Sequence, residues 1–370
     1  MRPKIIFTVT NDLSYDQRMI RICTTLAAHD FEVELIGRNK PNSVPLITQK
    51  FQQKRFNLWF TRGKLFYLAY NIQLFFFLLF SKFDIIGSVD LDTLLPCFLV
   101  AKIKGKPCVF DAHEYFTEVP EVVDRPFTKA TWEAVGNWII PRLSYAYTVS
   151  ATLQALFSKK YGIPFDLIRN IAEAKESFNF EPSETQKPII LYQGVLNEGR
   201  GLENLLGAMT AIDNAELWLA GEGDLSNQLR RLASELKVTQ NVKFLGYLPP
   251  KELSKITTQA TIGVNLLENK GLSYYYSLAN KTFDYIHAEV PAIHMDFPEY
   301  RAINQKCQIG LLIDNLAQNT IVTAIQQLLN DQDLYNQLKR NCRAAKKVYN
   351  WEKEAQKLVK IYQNLFLADD

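Results

Sequence analysis

Glycines beside cations recur where apolar runs of this chain end. The run at 188–193 opens into Gly194, Val195, Leu196, Asn197, Glu198, Gly199, Arg200 and Gly201. Glycines ahead of a helix let backbone N–H groups approach an anion, and Arg200 adds a planar fork suited to phosphate oxygens. The same residues also describe a tight turn carrying a solvated arginine. The segment is not G-x-G-x-x-G, which disfavours a dinucleotide dehydrogenase. The next apolar run ends in Ala220, Gly221, Glu222, Gly223 and Asp224. Gly221 leaves room for a ligand there, and Asp224 is expected to cap a helix from Leu225. Further on, Ser277, Leu278, Ala279, Asn280, Lys281, Thr282, Phe283 and Asp284 read as a helix starting near Ala279. Its free N–H groups and Lys281 suit phosphate, and Asp284 can accept from ribose hydroxyls. The alternative is an i,i+3 surface pair of Lys281 with Asp284.

The first half has its own polar groups at the ends of apolar runs. Asp111, His113 and Glu114 follow the run at 107–111. Either they face a ligand or His113 caps a loop. Asp90 and Asp92 form a D-x-D after the run at 84–89; with a helix following, Asp92 reads as its N-cap.

These groups need a scaffold that brings strand ends together. Strand candidates lie at 5–9, 32–36, 84–89, 107–111, 145–149 and 166–169, and again at 188–193, 215–220, 242–245, 261–266, 292–295 and 310–313. Several are continuous apolar runs, as strands buried on both faces require, and helix-period segments separate most of them. The pattern predicts two doubly wound, mostly parallel α/β domains, with ligands at the carboxyl ends of the strands. A length of 370 residues agrees with two domains. The polar stretch 172–187, with Pro182, is the expected boundary.

A net charge of +3 is too small for a general nucleic-acid binder. Five widely spaced cysteines, with no C-x-x-C pair, suit reduced thiols in the cytosol rather than a disulfide framework or zinc knuckle. The apolar start of the chain, broken at Asn11 and Asp12, reads as a first strand and not as a signal-peptide core. The small net charge hides an asymmetry. Between Glu34 and Asp84 there is no acid, while Arg38, Lys40, Lys50, Lys54, Arg55, Arg62, Lys64 and Lys82 fall there. Aromatics crowd the same stretch: Phe56, Trp59, Phe60, Phe66, Tyr67, Tyr70, Phe75, Phe76, Phe77 and Phe80. The apolar run 65–80 is shorter than the roughly 20 residues that span a bilayer. It reads either as a helix packed against a sheet or as part of an edge resting on anionic lipid. For residues 50–64, from Lys50 to Lys64, an anionic membrane surface is the expected partner.

In order and spacing, the glycine/basic loop, the G-E-G-D turn, the N-V-K-F-L-G-Y run at 241–247 and the N-K-x-F-D-Y helix before V-P-A-I resemble the donor-binding domain of GT-B glycosyltransferases. The nearest group is the retaining family 4, or glycosyl transferases group 1. Asn11, Asp12 and Leu13 with Asp16 and Arg18, and Asp111 to Tyr115, are similar to acceptor-domain motifs of some members. The resemblance implies two Rossmann-like domains, 1–172 and 187–347, facing a cleft, and a C-terminal helix, 351–366, crossing back to the first. It implies a UDP- or GDP-linked sugar donor, a saccharide or lipid-linked acceptor, anomeric retention and no required metal or other cofactor. Carried over, Arg200 meets the diphosphate above Gly194 and Gly199, Asp284 stands at the ribose-binding glutamate, and His113 contacts the donor sugar or reacting centre. Tyr276 stands where many members carry a first glutamate, so Ser277 or Asn280 would supply polar contacts there. Asn11, Asp12, Asp16, Arg18 and Glu114 fall on the acceptor side. An epimerase of the same fold and a non-catalytic membrane-associated partner in a glycan pathway are the competing readings. The expected location is cytoplasmic, at the inner face of the plasma membrane.

Overall fold

The computed structural model describes residues 2–14, 16–41, 43–173 and 187–367. It divides into two compact units. Residues up to Asn170, with those from Glu354 onward, form the first, and Ile171–Lys353 form the second. The expected boundary segment around Pro182 lies outside the described residues.

The first unit is built on a seven-stranded parallel sheet. Its strands are β1 (Lys4–Thr8), β2 (Glu32–Arg38), β3 (Gln52–Phe56), β4 (Ile85–Val89), β5 (Cys108–Ala112), β6 (Tyr145–Thr148) and β7 (Asp166–Leu167), in spatial order 3-2-1-4-5-6-7. β4 and β5 are buried at every residue, and β1 at all but its first. That explains their unbroken apolar sequences. The reversal of strand order between β1 and β4 is the topological switch point at which such sheets bind ligands. Local signals set the helix ends. The Asp16 carboxylate accepts from the Met19 N–H at the start of Gln17–Ala27. Ser150 caps Ala151–Tyr161 in the same way, and Gly162 ends it in a left-handed conformation.

The second unit repeats the plan with six parallel strands: β8 (Ile189–Gln193), β9 (Glu216–Ala220), β10 (Val242–Gly246), β11 (Ile262–Asn265), β12 (Ala292–Met295) and β13 (Gly310–Ile313). Their spatial order is 10-9-8-11-12-13. A large core runs from Ile190 and Leu217 to Ile325 and Leu338, and a smaller one gathers Ile189, Leu191, Trp218, Tyr285 and Val290.

Helix Trp351–Leu367 closes the chain. From Glu354 onward it belongs to the first unit. The Glu354 carboxylate accepts from the Arg169 backbone N–H at 3.0 Å. Tyr362 packs edge-on against Phe7 and Phe31, and its hydroxyl meets that of Tyr147 at 3.3 Å.

Strand β3 was not among the sequence candidates. Its residues, Gln-Gln-Lys-Arg-Phe, lie inside the stretch expected at a membrane surface, yet they pair in register with β2. An edge strand exposed on one face needs no apolar run.

Candidate functional site

In the second unit, the turns after β8 and β9 meet backbone to backbone. The Gly194 N–H donates to Ala220 O at 2.9 Å. A Cβ on Gly221 would lie 1.9 Å from Gly194 O, and both glycines have positive φ. Only glycine permits this approach. Behind the Gly194 turn lies Lys281, the second residue of helix Asn280–His287, for which Ala279 is the N-cap. The Lys281 ammonium stands 3.7 Å from the centroid of the Tyr192 ring. It is 8% exposed, and among the described residues it has no ion-pair partner. Burial, and then the nearby Arg200 charge, hold its pKa well below that of an ordinary lysine. The alternative reading, an i,i+3 ion pair of Lys281 with Asp284, is not among the ion pairs of the described residues. Asp284 instead accepts from Gln193 Nε2 at 2.7 Å, and Gln193 Oε1 accepts from Thr257 at 2.7 Å. This relay fixes the Asp284 carboxylate beside the end of β8.

Arg200 spreads its guanidinium over Tyr274, 4.9 Å from the ring centroid, and its buried Nε makes no hydrogen bond. Tyr274 also fills the space beside Gly199, where a Cβ would meet the ring at 2.7 Å. Ser277 donates to Tyr274 O at 2.8 Å, and Tyr300 OH accepts from the Ala279 N–H at 3.1 Å. Leu278 is buried and Asn280 exposed. Tyr276 ends the short helix Gly271–Tyr275 and packs edge-on against Tyr275.

Several members of this cluster were missed in the sequence. His294 of β12 bonds Thr282 at 3.1 Å and stacks on Tyr300. Burial and the Lys281 charge bring its pKa down to about 3. Asn265, the last residue of β11, is fully buried beside Tyr300, and neither end of its amide finds a well-formed hydrogen bond. Each breaks an apolar strand with a polar side chain, which was the available signal.

The carboxyl edge of the first sheet is organised differently. Arg18 is 3% exposed and donates to Asp111 Oδ1 at 2.8 Å and to Ile168 O at 3.0 Å. Asp111 Oδ2 lies 3.0 Å from His113 Nε2. Burial works against both charges, but Arg18 and His113 hold the Asp111 pKa below the usual carboxylate range. Asp111 in turn raises that of His113 despite its burial. The His113 N–H donates to Asp90 at 2.9 Å, and Glu114 is exposed next to it. Asp12 accepts from Ser43, from the Ser14 N–H and from Arg55, and these bonds outweigh burial and lower its pKa. Asn11 donates weakly to Asp16.

Two capping assignments are corrected. Asp92 does not cap a helix. Helix Leu94–Lys104 starts after Thr93 without a side-chain cap, and Asp92 accepts from Thr10 at 2.5 Å, with burial lifting its pKa to about 6. Asp224 does not cap Ser226–Glu235 either. The turn is held instead by Ser226 Oγ, which accepts from the Gly223 N–H at 2.9 Å. Among the described residues, no group of three or more His, Cys, Asp or Glu side chains is placed to hold a metal ion.

Comparison with known proteins bears on both units. The family described as Glycosyltransferase Family 4 matches residues 17–172, and that described as Glycosyl transferases group 1 matches 173–345. An uncharacterized glycosyltransferase of Methanocaldococcus jannaschii is 25% identical over 51% of this chain and 49% of its own. The lipopolysaccharide core biosynthesis glycosyltransferase LpsE of Rhizobium meliloti is 32% identical over 16% of this chain and 18% of its own. The chain thus spans about half, or less, of the curated relatives it matches. Similar solved structures cover nearly everything. A sucrose-phosphate synthase from Thermosynechococcus elongatus has a TM-score of 0.81 at 19% identity over 99% of this chain and 100% of that one. Anabaena HepE in complex with UDP-glucose has a TM-score of 0.77 at 13% identity, over 98% and 100%. WaaG, a glycosyltransferase involved in lipopolysaccharide biosynthesis, has a TM-score of 0.73 at 15% identity, over 96% and 99%. At these identities the structures speak to the fold alone. With two family models matching 17–345 between them, and two parallel-sheet units of the expected strand order, the chain belongs to the GT-B glycosyltransferases of family 4, group 1.

Proposed function

We propose that the chain is a glycosyltransferase whose second unit binds a UDP- or GDP-linked sugar. It transfers that sugar, with retention, to a saccharide or lipid-linked acceptor. The observation that carries this reading is the buried Lys281 ammonium, unpaired among the described residues, beneath the Gly194 turn and near Arg200. A buried cation without a counter-ion is costly. A diphosphate supplies the missing charge.

The chemistry follows from the leaving group. As the sugar departs, negative charge grows on the nucleoside diphosphate, and stabilising it is the main electrostatic task. Arg200, Lys281 and the open N–H groups at the start of Asn280–His287 are positioned for it, with no metal in this reading. Asp284, steadied by Gln193, accepts from the ribose hydroxyls. Gly194, Gly199 and Gly221 admit the donor's backbone-facing side, while Tyr276, Ser277, Leu278, Ala279 and Asn280 border the sugar. In the first unit, Asp111 holds the His113 ring through Nε2 and raises its pKa, which favours the protonated ring with Nδ1–H as a donor for the reacting sugar. Asn11, Asp12 and Glu114 meet the acceptor, with Asp16 and Arg18 supporting them from the first helix.

The UDP-glucose complex of HepE supports the donor class, and the lipopolysaccharide roles of WaaG and LpsE support a cell-surface polysaccharide pathway. Free cysteines, four of them buried, fit a cytoplasmic enzyme.

A thermal-shift screen of nucleotide sugars tests the donor class, because a ligand that binds only the folded chain must stabilise it. Stabilisation by a UDP or GDP sugar is expected; none with any nucleotide would overturn the reading. With the donor identified, Arg200→Ala is expected to lower kcat/KM for transfer by about 100-fold. Wild-type turnover would remove Arg200 from the mechanism. Conversion of the donor without an acceptor would point to an epimerase instead.

A further inference from the structure

Helix Gly63–Phe80 is apolar on both faces, but only one face is covered. Phe66, Tyr70, Leu74 and Leu78 recur every four residues and are buried. Tyr70 donates to Val9 O at 2.5 Å, and Phe56 packs against both Tyr70 and Phe77. The opposite stripe is Leu65, Leu68, Ile72, Phe76 and Phe80, all exposed, Phe80 by 82%. Ala69, Phe75 and Leu79 complete that side, so no polar residue interrupts its centre. An apolar helix normally has both faces buried, and a contiguous apolar patch marks an interaction site.

The surroundings of the stripe indicate what covers it. Trp59, just ahead of the helix, is 98% exposed, with Phe60 beside it. Lys64 stands 4.6 Å from the ring centroid of exposed Phe127, and Lys54 stands 4.4 Å from that of Phe77. Arg62 and Lys82 are exposed at the two ends of the helix. A stripe of Leu, Ile and Phe bordered by cations and Trp, with no acid between Glu34 and Asp84, complements a negatively charged lipid surface. By length and composition this is the one helix among the described residues able to cross a membrane. Its inner face is tied to the sheet, however, so the helix lies along a surface.

We propose that the outer face of helix Gly63–Phe80, with Trp59, Phe60 and Phe127 near its first turn, docks on a bilayer rich in anionic headgroups. The stripe enters the acyl boundary, and Lys54, Arg62, Lys64 and Lys82 meet headgroup phosphates. The surface expected at 50–64 thereby extends onto the helix that follows: Arg55 is engaged by Asp12 and Val44 O, while Lys54, Trp59, Phe60, Arg62 and Lys64 stay exposed. The helix starts where β3 ends, at the carboxyl edge that also carries His113. Docking therefore sets that edge beside the membrane, within reach of a lipid-linked acceptor, a step that rests on the transferase reading above.

Co-sedimentation of the full chain with vesicles tests the docking without any sugar chemistry. Vesicles of phosphatidylcholine with about one-third phosphatidylglycerol are expected to bind at least tenfold more chain than phosphatidylcholine alone, with binding falling as salt rises. Ile72→Asp with Phe76→Asp is expected to abolish binding while leaving nucleotide affinity at the wild-type value. That keeps a failure of docking distinct from a failure of the donor site. Arg62→Glu with Lys82→Glu, which keeps the stripe, is expected to lose the preference for anionic vesicles. No binding by the wild-type chain, or full binding by the Ile72→Asp, Phe76→Asp variant, overturns the proposal. A dimer in light scattering that this variant dissociates, without vesicle binding, assigns the face to a second copy and overturns it too.

Discussion

Asp111 and Lys281 are both charged side chains buried beside the carboxyl edge of a parallel sheet, one in each unit. Asp111 is enclosed by Arg18 and His113, and its pKa falls. Lys281 faces an aromatic ring and lies near a second cation, and its pKa falls because its charge is opposed. The contrast extends to their neighbours. Asp111 has its charge matched by Arg18 and His113, although Arg18 Nε, like Arg200 Nε, makes no hydrogen bond; in the second edge the Lys281 ammonium has no ion pair among the described residues, and the Asn265 amide lacks a well-formed hydrogen bond. Units with one strand order thus differ in where the partners of their buried charges come from. The Asp111 charge is matched by folding, and the Lys281 charge is suited to be matched by a ligand.

If folding alone matches the Asp111 charge, breaking that match costs stability. Arg18→Met, which leaves Asp111 buried with only His113, is expected to lower the unfolding free energy by about 3–5 kcal/mol. Urea denaturation checks this, and a change below about 1 kcal/mol would mean that the pair contributes no net stability.

The histidines of the two edges sharpen the contrast through pH. His294, with its pKa near 3, stays neutral in the fold, while the unfolded chain takes up a proton near the ordinary value of 6.5. Its contribution is lost as pH falls from about 6.5 towards 3, reaching about 2 kcal/mol by pH 5. His113 has a raised pKa, so its contribution is full below about 6.5 and is lost as pH rises through the folded value. Denaturation at pH 7 and pH 5 is expected to show the acid loss in the wild type and a smaller one in His294→Gln. Equal losses would contradict the assignment. NMR titration of the two imidazoles should move in opposite senses from 6.5.

The smallest expected effect concerns Asn265. An amide without a hydrogen bond costs stability until something satisfies it. Asn265→Leu is expected to stabilise the ligand-free chain by about 1 kcal/mol and to weaken nucleotide-sugar binding. Destabilisation with unchanged binding would make the amide a structural group.

Much of this contrast can be read in the chain, but unevenly. Twelve strands could be placed from the sequence, most plainly β1, β4, β5 and β8, which are covered on both faces, whereas β3, polar and at an edge, could not. Gly194, Gly221, Arg200 and Lys281 stand out because glycines and cations follow such runs. Asn265, His294 and Tyr300 come from separate elements and meet only after folding, so local pattern cannot group them. The outer stripe of Gly63–Phe80 was hidden for a related reason. Composition shows that a helix is apolar all round, and only packing shows which face is left uncovered.

The central claim is that the second edge carries a charge that folding leaves unpaired and a phosphate completes. Lys281→Met tests it in one variant with two readings: unfolding in the absence of ligand, and calorimetric binding of UDP and GDP. The account predicts a ligand-free chain more stable by about 1–3 kcal/mol and an affinity for the bound nucleotide reduced about 100-fold. A less stable chain that binds the nucleotide as tightly as wild type would contradict it.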